Sequence, residues 1–94
     1  MSEPVVYQAL FYDYVEDVTA KRAPYRADHL ALVGAWKADG KVVSGGALGQ
    51  PPTGALIVFS VDDAAEVEAF VAEDPYVKAG IVTGHRVVPW AVVI

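Results

Sequence analysis

The chain has 94 residues, 54% of them hydrophobic and 20% charged, with a net charge of −5 and no cysteine. That length fits one domain with one core. The composition excludes a disordered chain, a disulfide framework, a thiolate nucleophile and a zinc–thiolate site.

Seven basic residues scattered among twelve acidic ones give no basic face for a phosphate backbone, so nucleic acid is not an expected partner. No apolar run reaches the roughly 18 residues of a membrane span. Met1-Ser2-Glu3-Pro4 shows no basic segment leading into an apolar one. A soluble cytoplasmic protein is the expectation.

Val5 to Tyr12 (VVYQALFY) carries β-branched and aromatic residues on both alternating faces, which predicts a strand buried on both sides. A polar segment, Asp13 to Arg22, follows, with a helical turn expected over Asp17–Arg22. Pro24 suits a first helical position, where its missing N–H is not needed. From there to Asp39 the spacing predicts a helix: Tyr25, His29, Leu32 and Trp36 fall at i, i+4, i+7 and i+11, and Leu30 and Val33 widen that stripe. Gly40 supplies the stop.

Lys41 to Leu48 reads as a second strand loosened by Gly45-Gly46; glycines inside a strand mark a bulge or a close approach by something else. After a Pro- and Gly-rich loop, Ala55 to Val61 is the most continuously apolar stretch and predicts a central strand. Asp63 is placed to cap the next helix, with Glu66 in the capping-box position, and Val67, Phe70 and Val71 mark its buried stripe. One further step of three reaches Asp74. A carboxylate at the end of an apolar stripe is the kind of local conflict that marks a site. Pro75 breaks the helix there. A short turn then runs to Gly80, and Ile81 to Ile94 forms a long last strand, where Pro89 points to a sheet edge or a bulge.

The order β-α-β-β-α-β predicts an α+β, ferredoxin-like fold: a four-stranded antiparallel sheet with both helices on one face. Val5, Tyr7, Ala9 and Phe11, then Val6, Leu10 and Tyr12, and Val88, Trp90, Val92 and Ile94 supply apolar residues for both faces, so the face without helices needs a cover. A second copy packed sheet to sheet, a homodimer, is the simplest cover for it.

His29 is the first candidate for chemistry, because an imidazole is the general acid/base suited to neutral pH. It is equally readable as a core histidine held by backbone carbonyls. Asp74 is a good N-cap for a turn beginning at Pro75. It is also placed to accept a hydrogen bond from one His29 nitrogen, fixing the tautomer as the Asp of a triad does. Tyr76 offers a hydroxyl or a packing ring. Tyr25 and Arg26, one turn before His29, are candidates for binding a ligand carboxylate, and Ser44, Gly45 and Gly46 for presenting backbone N–H groups to an oxyanion. His29 and His85 lie on different elements without ligand spacing, so no metal is expected, and no phosphate-binding glycine motif or nucleophile elbow is present. No cofactor is expected.

Beyond these local readings, Tyr12-Asp13, Arg22-Ala23-Pro24-Tyr25-Arg26-Ala27-Asp28-His29-Leu30, Gly45-Gly46, Ala72-Glu73-Asp74-Pro75-Tyr76-Val77-Lys78-Ala79-Gly80 and Arg86-Val87-Val88-Pro89-Trp90 resemble the YCII (YciI-like) family over nearly the whole chain. The resemblance implies a dimeric α+β barrel of ferredoxin-like subunits with an active site on a His–Asp pair, here His29 and Asp74. It implies lyase or isomerase chemistry, because some members act as dehydrochlorinases or muconolactone-type enzymes on chlorinated aromatics. The wider barrel superfamily also holds oxygenases and haem-binding proteins. The expectation is a cofactor-independent enzyme carrying out elimination, isomerisation or dehalogenation on a small cyclic or aromatic acid. The alternative is a non-catalytic dimeric barrel that binds a small ligand or a regulatory partner, with His29–Asp74 as a core hydrogen bond.

Overall fold

The computed structural model describes residues 5–94; the leader reading at residues 1–4 lies outside it. Its elements are β1 (Val5–Tyr14), α1 (Val18–Arg22), a 3-10 turn (Ala23–Tyr25), α2 (Arg26–Ala38), β2 (Val42–Leu48), β3 (Gly54–Phe59), α3 (Ala64–Glu73), α4 (Pro75–Lys78) and β4 (Val82–Val92). The strands form one sheet in the order β2-β3-β1-β4, every pair antiparallel. This is the expected ferredoxin-like α+β fold. β1 lies between β3 and β4, so both of its edges are paired. β4 is an edge strand, so Pro89, opposite Gln8, costs no ladder bond on the outer side.

One face of the sheet carries the helices. Leu10, Tyr12, Ala55, Ile57 and Phe59 meet Val67, Phe70 and Val71 there. Trp36 of α2, Phe59 of β3 and Phe70 of α3 pack edge to face with centroids 5.1 to 5.8 Å apart, a preferred aromatic geometry that ties the end of α2 to α3. Gly54 is required by the β1–β3 contact, because a Cβ at this position would collide with the Tyr12 carbonyl oxygen. The opposite face has no cover: Val5 is 55%, Trp90 47% and Val88 39% exposed. Among the described residues, no helix is long and apolar enough to cross a membrane.

Three local readings change. The helix expected from Pro24 begins as a 3-10 turn, and α-helical geometry starts only at Arg26. The 3-10 turn winds through 120° per residue instead of 100°, so Tyr25 leaves the stripe and stands exposed; Leu30 is exposed as well. At α3, the Asp63 side chain accepts from the Ala65 N–H at 2.8 Å as a cap should, but Glu66 turns towards Lys41 (3.9 Å) rather than closing a capping box. β1, expected to be buried on both sides, is covered on one, and Val5 stands 55% exposed on the open face; His85 of β4 is exposed on the helix side and pairs with Glu68 of α3.

Candidate active site

Pro75 excludes helical geometry at Asp74, which adopts φ −69° and ψ 121° and ends α3. The carboxylate, fully buried, is thereby turned across the helix face into the core. Its Oδ1 accepts from the Tyr76 N–H at 3.0 Å, the capping bond of α4, and the same oxygen lies 2.8 Å from His29 Nδ1. Oδ2 accepts from the Tyr12 hydroxyl at 2.8 Å. Cap and pair therefore coexist on one oxygen, and the other is held by a residue of the sheet. Three elements, α4, α2 and β1, converge on this one side chain.

Each neighbour of the carboxylate is a donor. That arrangement places the Nδ1 hydrogen of His29 on Asp74 and leaves Nε2 without a protein partner among the described residues. The imidazole is stacked on Tyr76, ring centroids 3.9 Å apart and planes within 7°, so its orientation is fixed as well as its tautomer. Burial first, and then the charge of Asp74 and the bond to it, push the Tyr12 phenol far above its ordinary range. Tyr12 therefore remains a donor to the carboxylate at every ordinary pH.

His29 lines a cavity of about 230 Å³ between α2, the β2–β3 hairpin and α4. Arg26, Leu30 and Val33 of α2 form one wall, Gly45 and Gly46 of β2 face them, and Tyr14, Arg22 and Tyr76 close one end. The structure thus brings together His29, Asp74, Arg26, Gly45, Gly46 and Tyr76. Tyr25, on the outer surface, does not line the cavity, and neither does Ser44. Gly45 matters for space: a Cβ there would stand 3.3 Å from the Ile57 side chain.

Three residues in this arrangement escape a reading by periodicity. Tyr12 looks like one more strand aromatic, and only its pairing partner across 62 positions reveals its role. Tyr14 and Arg22 sit in a polar stretch of sequence without a repeat. The turn between them is made by Asp17 in the left-handed region (φ 56°), where Asp is more tolerated than most residues. Among the described residues, no group of three or more His, Cys, Asp or Glu is placed to hold a metal ion.

A buried carboxylate that holds a histidine at the wall of a cavity is an arrangement able to support acid/base chemistry. The chain belongs to the YCII-related domain family, whose model matches residues 6–91. No curated protein matches the sequence. Among solved structures, it is similar to the 5-chloro-2-hydroxyhydroquinone dehydrochlorinase of Burkholderia phenoliruptrix in complex with 2,5-dihydroxybenzoquinone: 25% identity, 89% of this chain and 92% of that chain covered, TM-score 0.75.

Proposed function

We propose that the protein is a small cofactor-independent enzyme in which His29 moves a proton on a small cyclic or aromatic acid while Asp74 orients it. The observation that carries this reading is the sealed Asp74 holding His29 Nδ1 at 2.8 Å, with the ring at the cavity wall and Nε2 unengaged. Nε2 takes a proton from a ring hydroxyl or from the carbon beside the leaving group. The electron pair left behind forms a new double bond. In an elimination from a hydroxyaromatic ring, the reacting form is the keto tautomer, in which one hydroxyl proton has moved to the halogen-bearing carbon. Nε2 takes a second hydroxyl proton, a carbonyl and a new ring double bond form, the carbon–halogen pair departs with halide, and the net loss is one hydrogen halide. In an isomerisation, the same proton is returned at a second atom. Arg26 and the backbone of Gly45 and Gly46 are the groups at the cavity wall available to hold substrate oxygens; the Tyr76 hydroxyl is buried, and Tyr25 does not line the cavity. The resemblance to a dehydrochlorinase structure favours elimination among these outcomes.

The test is chloride release from 5-chloro-2-hydroxyhydroquinone or, if that is not turned over, from a panel of halogenated hydroxyaromatic acids. His29→Asn should lower kcat by roughly 10²–10⁴-fold, the range of a lost general acid/base, with the fold intact by circular dichroism. Full activity in that variant would remove the role assigned to His29.

We also propose that the uncovered face is closed by a second copy in a homodimer. Val5, Val88 and Trp90 leave it apolar and exposed. Sedimentation at micromolar concentration should give twice the 10.0 kDa of one chain, and a stable monomer would overturn it.

A further inference from the structure

The cavity beside His29 has a chemical bias that the His29–Asp74 pair does not explain. Arg22 and Arg26, two of the seven basic residues in a chain of net charge −5, line it, while no carboxylate does among the described residues. Beside them Tyr76, 1% exposed, lays its ring against His29, and its hydroxyl is buried rather than open to the cavity. Tyr14 stands edge-on to Tyr76, ring centroids 6.2 Å apart, on the same wall. Burial first, and Tyr76 next, raise the Tyr14 phenol above its ordinary range, with the Arg22 guanidinium pulling the other way. At neutral pH Tyr14 keeps its proton and is a donor.

We propose that Tyr14 and Arg22 form an oxyanion-recognition end of this cavity that selects a planar ring carrying one anionic oxygen group. The assignment rests on the reading above only in placing the reacting end of that ring at His29. Size fits a small ligand: roughly 150 Å³ suffice for a bare benzene ring, so about 230 Å³ holds one ring with a few substituents. Charge sets its class, because a guanidinium fork beside a neutral hydroxyl donor matches a carboxylate, phenolate or enolate oxygen and gives nothing comparable to an uncharged group.

The test uses two probes of one shape, 4-hydroxybenzoate and 4-hydroxybenzamide, titrated into the full chain by calorimetry. The wild type should bind the benzoate at least about tenfold more tightly than the amide, the scale of one charge-assisted contact. Arg22→Met should erase that preference by weakening the benzoate alone, Tyr14→Phe should reduce it, and Arg22→Lys should keep part of it. His29→Asn should leave it unchanged, which separates this subsite from the catalytic reading: loss of turnover in His29→Asn bears on the proton transfer only. Equal binding of the two probes by the wild type, binding of neither at millimolar concentration, or an intact preference in Arg22→Met would each overturn the assignment. If Arg22→Met does not fold, Tyr14→Phe and Arg22→Lys decide by the same comparison.

Discussion

The chain contains two histidine–carboxylate pairs of nearly equal length and unequal meaning. His29 Nδ1 lies 2.8 Å from Asp74, and His85 Nε2 lies 2.9 Å from Glu68. The first pair has side chains 10% and 0% exposed, the second 31% and 53%. Asp74 spends its oxygens on three different donors from three elements, whereas both oxygens of Glu68 lie near the same His85 nitrogen, at 2.9 and 3.1 Å. Tyr76 stacks on His29 and fixes its plane. Distance alone therefore does not define a site. What distinguishes the first pair is a carboxylate that water cannot reach and that cannot turn away, next to a ring whose other nitrogen is at a cavity.

The largest break in this comparison comes from deleting each carboxylate. Asp74→Ala strands two buried side-chain donors, Tyr12 and His29, and the capping N–H of Tyr76. Leaving a buried donor unsatisfied costs about 1–3 kcal/mol, so three of them take a large part of the about 5–15 kcal/mol that holds a domain together. Glu68→Ala removes only a surface pair and should cost about 0–1 kcal/mol. Urea unfolding of the two variants at pH 7 measures the difference. Equal losses would mean that the convergence on Asp74 carries no energy and that the two pairs are alike.

The same contrast shows what could be read from residues alone. The order of elements was legible because each strand and long helix carries its own period, and the edge position of the last strand was legible from Pro89. Asp74 stood out because a carboxylate interrupts the Val67-Phe70-Val71 stripe, and no such interruption marks Glu68 on the solvent face of the same helix. Tyr25 was drawn into the stripe because a 100° period was extended through Pro24, across three residues that take the tighter 3-10 pitch. Tyr14 and Arg22 were not legible as site residues. Tyr14 ends β1 and Arg22 ends α1, and their meeting in the cavity depends on how α1 folds back after Asp17. Periodicity reports which face a residue takes within an element; the relation between elements is tertiary, and half of this site lives there.

Tyr12 offers a smaller and sharper test, because it is the group that the exposed pair lacks. Its hydroxyl donates to Asp74 Oδ2 at 2.8 Å, and a hydrogen bond to a charged group contributes about 1.5–3 kcal/mol. Tyr12→Phe should lower stability by that amount at pH 7. The phenol's pKa is raised in the folded protein, chiefly by burial and then by Asp74. A raised pKa means that the folded state holds the proton after the unfolded chain has released it. The stabilisation is therefore fully present below the ordinary tyrosine value near ~10 and is lost above it, by about 1.4 kcal/mol per pH unit for one group. Phenylalanine has nothing to titrate. The gap between wild type and Tyr12→Phe should stay level from pH 7 to 9, close between about pH 10 and 12, and reverse if the chain remains folded that far. Unfolding curves for both proteins across that range measure the gap directly, with Tyr14 and the other tyrosines common to both. A gap that stays constant to pH 11.5 would show that the Tyr12 phenol is neither shielded from water nor held by Asp74. The orientation of the carboxylate, and through it of His29, would then rest on Pro75 and the α4 cap alone.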